Sequence, residues 1–338
     1  MVWIMVKRRL SVKIGQQSIF FNFKRCTIFI CAIFIAFNLP SARAGDDGWA
    51  GSIYDAFDKN DDLNFEFSTG IEYDSNVSVI DIDTQTAEDD FAAVFDAGVS
   101  YRADLAKGST LSIGYQFGQD LQFEFSEFDT QTHRAFASFE QQIGDVETGF
   151  SYHIVYARLG SNGFLRMHRA SPHLAGYALN KRVYWRAAYT YSDKEFIDRP
   201  NRSSIVHAGA GDAYVFLNGA DTYVMGGYRY ENENAVGPEF DFRSHNTRLK
   251  LVQRLRLGQR KMKLKSGWQY EDRNYENITP AIGAIRDDER HKFDVSLEIP
   301  LNDIVYTEIE YSYDRFNSNL PSAEFDQNIT AIRIGGKL

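Results

Sequence analysis

The chain has 338 residues, of which 43% are hydrophobic and 14% aromatic, with 26 Phe and 19 Tyr but only 7 Pro. That composition excludes a disordered chain, and the length fits either two ordinary domains or one large all-β barrel. The formal net charge is −9, but residues 1–44 hold seven basic groups and no acid; the remainder carries all 46 acidic residues against 30 basic ones, which excludes a general affinity for nucleic acid.

In chain order, the first element reads as an address. Lys7, Arg8, Arg9, Lys13, Lys24 and Arg25 precede an apolar run from Cys26 to Leu39, and Ser41-Ala42-Arg43-Ala44 follows Pro40. A basic start, about fourteen apolar residues and an A-x-A-like site make up a cleaved secretory signal over 1–44. The run is shorter than the roughly 18–20 residues that cross a bilayer as a helix. Both cysteines of the chain, Cys26 and Cys31, lie within it. The exported part therefore has no disulfide, no Cys-ligated zinc site and no Cys nucleophile. A short periplasmic segment is expected over 45–62, with a barrel over 63–338.

From Leu63 onward the dominant pattern has period two. Phe65, Phe67, Ile71 and Tyr73 alternate with Glu66, Ser68, Gly70 and Glu72. Phe293, Val295, Leu297 and Ile299 alternate in the same way with Lys292, Asp294, Ser296 and Glu298. Successive side chains of a strand point to opposite faces, so each segment has one apolar face and one polar face. The segments run about ten to thirteen residues, the length a tilted strand needs to cross the hydrocarbon.

Seven such segments reach an aromatic residue, Tyr73, Phe117, Tyr156, Tyr191, Tyr230, Tyr270 and Tyr313, and then break into polar loops expected to be long. Four carry doublets: Tyr189/Tyr191, Tyr228/Tyr230, Trp268/Tyr270 and Tyr311/Tyr313. Between them lie short turn signals at 106–108, 143–145, 180–181, 218–221, 258–259 and 300–303, rich in Gly, Asn and Asp. Seven ascending and seven descending strands predict a transmembrane antiparallel β-barrel of about 14 strands, with tight turns and both termini in the periplasm. The aromatic doublets belong at the membrane interface, where a ring is half apolar and half wet. The partners implied are outer-membrane lipid, lipopolysaccharide and the barrel assembly machinery.

The second half resembles the C-terminal barrels of surface lipoprotein assembly modifiers and of outer-membrane porins from exopolysaccharide loci. The resemblance rests on Tyr189-Thr190-Tyr191-Ser192-Asp193-Lys194, on Tyr228-Arg229-Tyr230-Glu231-Asn232-Glu233 and on Arg286-Asp287-Asp288. Tyr311-Ser312-Tyr313 with Asn317-Ser318-Asn319-Leu320-Pro321, and the opening Tyr73-Asp74-Ser75-Asn76-Val77, extend it over most of 63–338. It implies a fourteen-stranded outer-membrane barrel and an envelope-protein or polysaccharide partner. Those modifiers carry a helical repeat domain before the barrel, whereas only 45–62 separates signal from first strand here. The chain also ends in Leu338 where many barrels end in an aromatic residue, although Ile332, Ile334 and Leu338 share one face.

The polar face holds the candidate chemistry. Arg248, Lys250, Lys261, Lys263, Lys265, Arg290 and Lys292 are expected to face the lumen as a basic arc, beside Glu308 and Glu310 across the next turn and Arg333 on the last strand. Such arcs select solutes or simply pair across strands. The crowded lysines call for an anionic partner, either a solute or the loop 74–90 with its six acids. Ser151/His153 and Ser171/His173 share a face without an orienting acid, and Glu308/Glu310 has a spacing that a plain lumen wall also gives. No local metal-ligand spacing stands out: Asp58, Asn60 and Asp62 begin like a calcium loop, but Leu63 replaces the required Gly. The sequence thus points to a pore or export conduit, possible cargo being an anionic solute or saccharide, without cofactor or metal. The alternatives are a plugged barrel serving as anchor or assembly factor and, more distantly, a barrel-embedded hydrolase.

Overall fold

The computed structural model describes residues 63–258 and 260–338. The expected signal peptide, the segment 45–62 and the Asp58-Asn60-Asp62 motif lie outside the described residues. Sixteen strands follow one another: β1 (Leu63–Asp74), β2 (Ser78–Val79), β3 (Thr84–Gln85), β4 (Asp90–Ala106), β5 (Ser109–Gln122), β6 (Thr130–Ile143), β7 (Val146–Leu159) and β8 (Asn162–Ala178). The second half adds β9 (Val183–Phe196), β10 (Ser204–Asn218), β11 (Thr222–Ala235), β12 (Phe242–Leu257), β13 (Arg260–Thr279), β14 (Ala284–Pro300), β15 (Val305–Ser318) and β16 (Phe325–Lys337). β2 and β3 pair only with each other; the other fourteen form one closed antiparallel barrel, in which β1 pairs with β4 on one side and β16 on the other.

The burial pattern is that of a membrane barrel. Ile71, Phe95, Ile113, Ile154, Leu249, Phe293, Ile309, Ile332 and Ile334 are exposed, while Ser68, Glu72, Asp96, Thr190, Ser192, Arg229 and Asp288 are buried. A soluble protein distributes these residue types the other way. A barrel in lipid turns its apolar side chains outward and its polar ones toward a wet interior, and closure leaves no strand edge unpaired in the hydrocarbon.

The tight turns fall where the sequence signals them. Gly108 and Gly144 take φ of 78° and 61°, which a Cβ would oppose. The β8–β9 turn reaches the same left-handed region at Leu179, Asn180 and Lys181 without any glycine.

Two expectations fail at the other end. The aromatic residues do not end the strands: β9 runs on from Tyr191 to Phe196, β11 from Tyr230 to Ala235 and β13 from Tyr270 to Thr279. Beyond the lipid the ladder continues in water, so the outward residues turn polar while the backbone pairing persists. Nor does every repeat carry a long loop, since only Gly160 and Ser161 join β7 to β8.

Candidate functional site

The β1–β4 connection, residues 75–89, folds into the mouth at the loop end of the barrel. Asn76 knits it together: its backbone N–H donates to Asp74 (3.0 Å), its side chain donates to Gln85 Oε1 (2.7 Å), and its Oδ1 accepts the Ala87 N–H (3.0 Å). Ile82, at the tip, is buried among Ala157, Phe164, Leu165 and Phe196 of β7–β9. Ile80 packs against the separate cluster of Phe316, Leu320, Ala323 and Phe325 around β15 and β16. The loop therefore touches well-separated parts of the rim.

Asp83 fixes the tip electrostatically. Its carboxylate pairs with Arg202, on the β9–β10 connection, and with Arg286 of β14 (2.8 Å); Arg202 also donates to the Asp81 carbonyl (3.0 Å). Both arginines are held in place by rings: Arg202 lies over Phe240 (4.2 Å) and Arg286 over Tyr275 (4.6 Å), while Arg286 also pairs with Asp288 (2.8 Å). Burial pushes the Asp83 carboxyl up, but the hydrogen bonds and charges of Arg286 and Arg202 outweigh it and hold the group below the ordinary carboxylate range. The acid-bearing loop thus meets arginines at the mouth, not the lysines of the expected basic arc.

Strand register places that arc on the inner wall, where neighbouring strands neutralise much of it. Lys265 of β13 bonds Glu308 of β15 (3.3 Å), Lys263 lies opposite Glu298, and Lys261 is exposed at the rim of the turn end. Arg290 pairs with Asp314 (2.9 Å) and Arg248 with Asp212 (3.0 Å); Lys250 and Lys292 are half-buried on the same face. Arg333 of β16 is a hub, joining Glu72 (3.3 Å), Asp96 (3.0 Å) and Glu310 (3.1 Å) from three other strands. These bridges account for both members of the Glu308/Glu310 pair.

A second basic wall is one that sequence reading missed. Arg134 of β6, His153 of β7, Arg169 of β8 and Arg186 of β9 all face inward, with Arg134 donating to His153 Nδ1 (3.2 Å) and Arg169 to Ser192 Oγ (3.3 Å). Each strand supplies one of these groups, so no local cluster announces them; counting inward positions on consecutive strands would have found them. Toward the turn end, Tyr177, Tyr184, Tyr214 and Tyr223 form an inward row over β8–β11, with successive ring centres 5.1, 5.8 and 6.1 Å apart. Ser171 Oγ is bonded to Thr190 Oγ1 (2.9 Å), and Ser151 Oγ has no protein partner, so neither serine hydroxyl bonds a histidine.

The outer face explains the doublets. Tyr189 Oη bonds His207 Nδ1 (2.5 Å) while the Tyr191 ring packs on the same imidazole (5.5 Å); Tyr228 and Tyr230 hold His245 likewise (2.6 and 5.2 Å). Tyr115 with Phe117 holds His133, Tyr152 bonds His168 (2.8 Å), and Trp268 with Tyr270 packs on His291. On the last hairpin Tyr311 and Tyr313 bond Asn328 and Asp326 instead. Tyr73 packs against Phe91 (5.2 Å). Five of the seven histidines thus belong to an outward girdle at one height, where amphipathic rings suit a membrane interface.

Fold, inverted burial and girdle together define an outer-membrane β-barrel protein. The sequence model of the surface lipoprotein assembly modifier family matches residues 64–335, and the chain belongs to that family. No curated protein sequence matches it. Solved structures are similar to it at low identity. An anion-selective porin from Comamonas acidovorans is 8% identical, with a TM-score of 0.50, over 82% of this chain and 99% of that one. A bacterial polysaccharide outer membrane secretin is 10% identical (TM-score 0.42; 82% and 99% covered). CdiB from Acinetobacter baumannii is 11% identical (TM-score 0.46; 82% and 60% covered).

Proposed function

We propose that the protein is a solute conduit of the outer membrane whose external mouth is narrowed by a detachable loop, and that its lumen favours anionic saccharides. The observation that carries this is the attachment of residues 75–89: a paired Asp83, apolar contacts at Ile80 and Ile82, and hydrogen bonds to the rim from Gln85 to the Glu324 carbonyl and from Gln327 to the Asn76 carbonyl. Burying one isoleucine stabilises by about 1.5–3 kcal/mol. An attachment of this size can be released by a partner or a solute. Inside, the arginine wall suits acidic groups and the tyrosine row suits the C–H faces of sugar rings.

The family suggests a second reading, in which the loop stays shut and the barrel serves the assembly of a surface lipoprotein. The loop's hold on well-separated sides of the mouth favours it. Planar-bilayer conductance separates the two. We expect stable steps from the intact protein and several-fold larger ones when residues 78–86 are replaced by a short Gly-Ser link. Silence from both proteins would refute the conduit; a silent wild type beside a conducting deletion would assign the barrel to the second reading.

The same recording has a pH signature. Because the carboxyl of Asp83 is depressed in the folded loop, its stabilising pairs are fully present above about pH 4, the unfolded value, and are lost as pH falls through the lower folded value. Conductance should therefore hold steady from pH 7 to 5 and rise below 4. The Asp83→Asn protein should show the larger conductance already at pH 7.

A further inference from the structure

Near the turn end of the lumen lies a group that neither the mouth nor the ion-pair networks use. Strand pairing sets Glu140 of β6 opposite Gly149 of β7, and Gly149 opposite His173 of β8. Alternation turns all three inward, together with Glu147 two residues along β7. The His173 ring occupies the space a side chain at Gly149 would fill: a Cβ there would lie 2.3 Å from the imidazole Cε1 and 2.4 Å from Nε2. Across that gap, ligand atoms of Glu140, Glu147 and His173 come within 4.8 Å of one another.

The histidine is 6% exposed, and apart from the Ser171 backbone its ring nitrogens have no hydrogen-bond partner; Glu147 Oε1 is likewise buried without one. A buried polar atom left without a partner costs about 1–3 kcal/mol. Here a ring nitrogen of His173 and carboxylate oxygens of the two glutamates share one small space, which calls for a ligand that accepts electron pairs from nitrogen and oxygen together. A bound anion would face two carboxylates and is excluded by charge.

We propose that Glu140, Glu147 and His173 form a site for a divalent transition metal of the zinc class. One imidazole nitrogen and two carboxylate oxygens supply three ligands, and lumen water completes the tetrahedron. Bonds of about 2.0–2.1 Å gather zinc ligands to roughly 3.4 Å from one another, a contraction that rotamer adjustment of two glutamates on a water-filled wall provides. Calcium and magnesium, which take six or more oxygen ligands, fit poorly. No sequence spacing announces the site because its ligands come from three strands. Loading cancels the negative charge of the two glutamates, which leaves the arginine wall without acidic neighbours at that height whether or not the barrel conducts.

The test is calorimetric titration of the untagged full-length protein, folded in detergent, with zinc chloride. We expect one equivalent bound at micromolar or tighter affinity, with no competition from millimolar magnesium. His173→Ala and Glu147→Gln should each weaken binding at least tenfold with unchanged heat-modifiable migration. Gly149→Ala, which evicts the imidazole, should do the same. Wild-type affinity in His173→Ala, or no stoichiometric binding to the wild type, would overturn the site. Zinc-edge anomalous scattering from wild-type crystals gives a readout independent of variant folding: a peak among the three side chains supports the proposal, and its absence overturns it.

Discussion

On the outer face of β9, Tyr189 and Tyr191 hold His207 of the adjacent strand, β10. On its inner face Lys194 ignores β10 and bonds Glu233 of β11, one strand further (2.9 Å). The same contrast recurs around the barrel. The girdle pairs join immediate neighbours, whereas Arg248 of β12 reaches Asp212 of β10, Lys265 of β13 reaches Glu308 of β15, Lys337 of β16 reaches Glu298 of β14, and Arg333 of β16 crosses β1 to Asp96 of β4. Curvature is the cause. Side chains on the convex face splay apart, so only adjacent strands meet. On the concave face they converge, and long ones reach across the strand between, over Gly227 of β11 in the Arg248–Asp212 bridge and over the Tyr306 ring of β15 in the Lys337–Glu298 bridge.

The largest effect should come from the hub. Replacing Arg333 with alanine leaves Glu72, Asp96 and Glu310 close together without their shared cation. Removing one partner of a buried ion pair typically costs about 3–5 kcal/mol. We expect Arg333→Ala to lose that much against urea unfolding in detergent vesicles, and a loss below about 1 kcal/mol would mean that the inner wall is not held by its bridges.

A smaller effect isolates the bridging geometry itself. Gly227 of β11 lies beneath the Arg248–Asp212 bridge, and a Cβ there would come 2.3 Å from Asp212 Oδ1. Gly227→Ala adds one methyl group and removes no charge. Overpacking of this kind costs about 1–3 kcal/mol. Gly209, on the same barrel, has open space around its missing Cβ, so Gly209→Ala is the matched control and should be near neutral. Equal losses in the two variants would argue against bridging over the intermediate strand.

The same contrast governs what could be read before the fold was known. Period two, the turn residues and the Tyr doublets report contacts within a strand or between neighbours, and they place the fourteen strands and the lipid face. Strand ends beyond the girdle were hidden because Glu231 to Ala235 pair in water, where hydropathy no longer marks the outward side. The mouth was hidden for a different reason. The acids of 74–90 were visible, but Asp83 finds Arg202 and Arg286 more than a hundred positions away, and Ile82 finds its pocket on β7–β9. The arginine wall and the Glu140/Glu147/His173 group likewise take one or two residues from each strand, so only register assembles them.

The smallest effect belongs to the girdle. Tyr228→Phe deletes the hydroxyl that bonds His245 Nδ1 but keeps the ring, and Tyr230 still packs against the imidazole. At the interface, water or a lipid headgroup can take over the vacated nitrogen, so the loss should stay within the about 0.5–1.5 kcal/mol net value of one hydrogen bond. Because the repeated Tyr–His units share no side chains, a double variant that adds Tyr189→Phe should lose the sum of the two single effects. Additivity in urea unfolding would show a face built from independent local units, in contrast to the coupled network inside. A double loss well beyond the sum would mean that the girdle acts as one continuous belt, and would remove the distinction drawn here between the two faces.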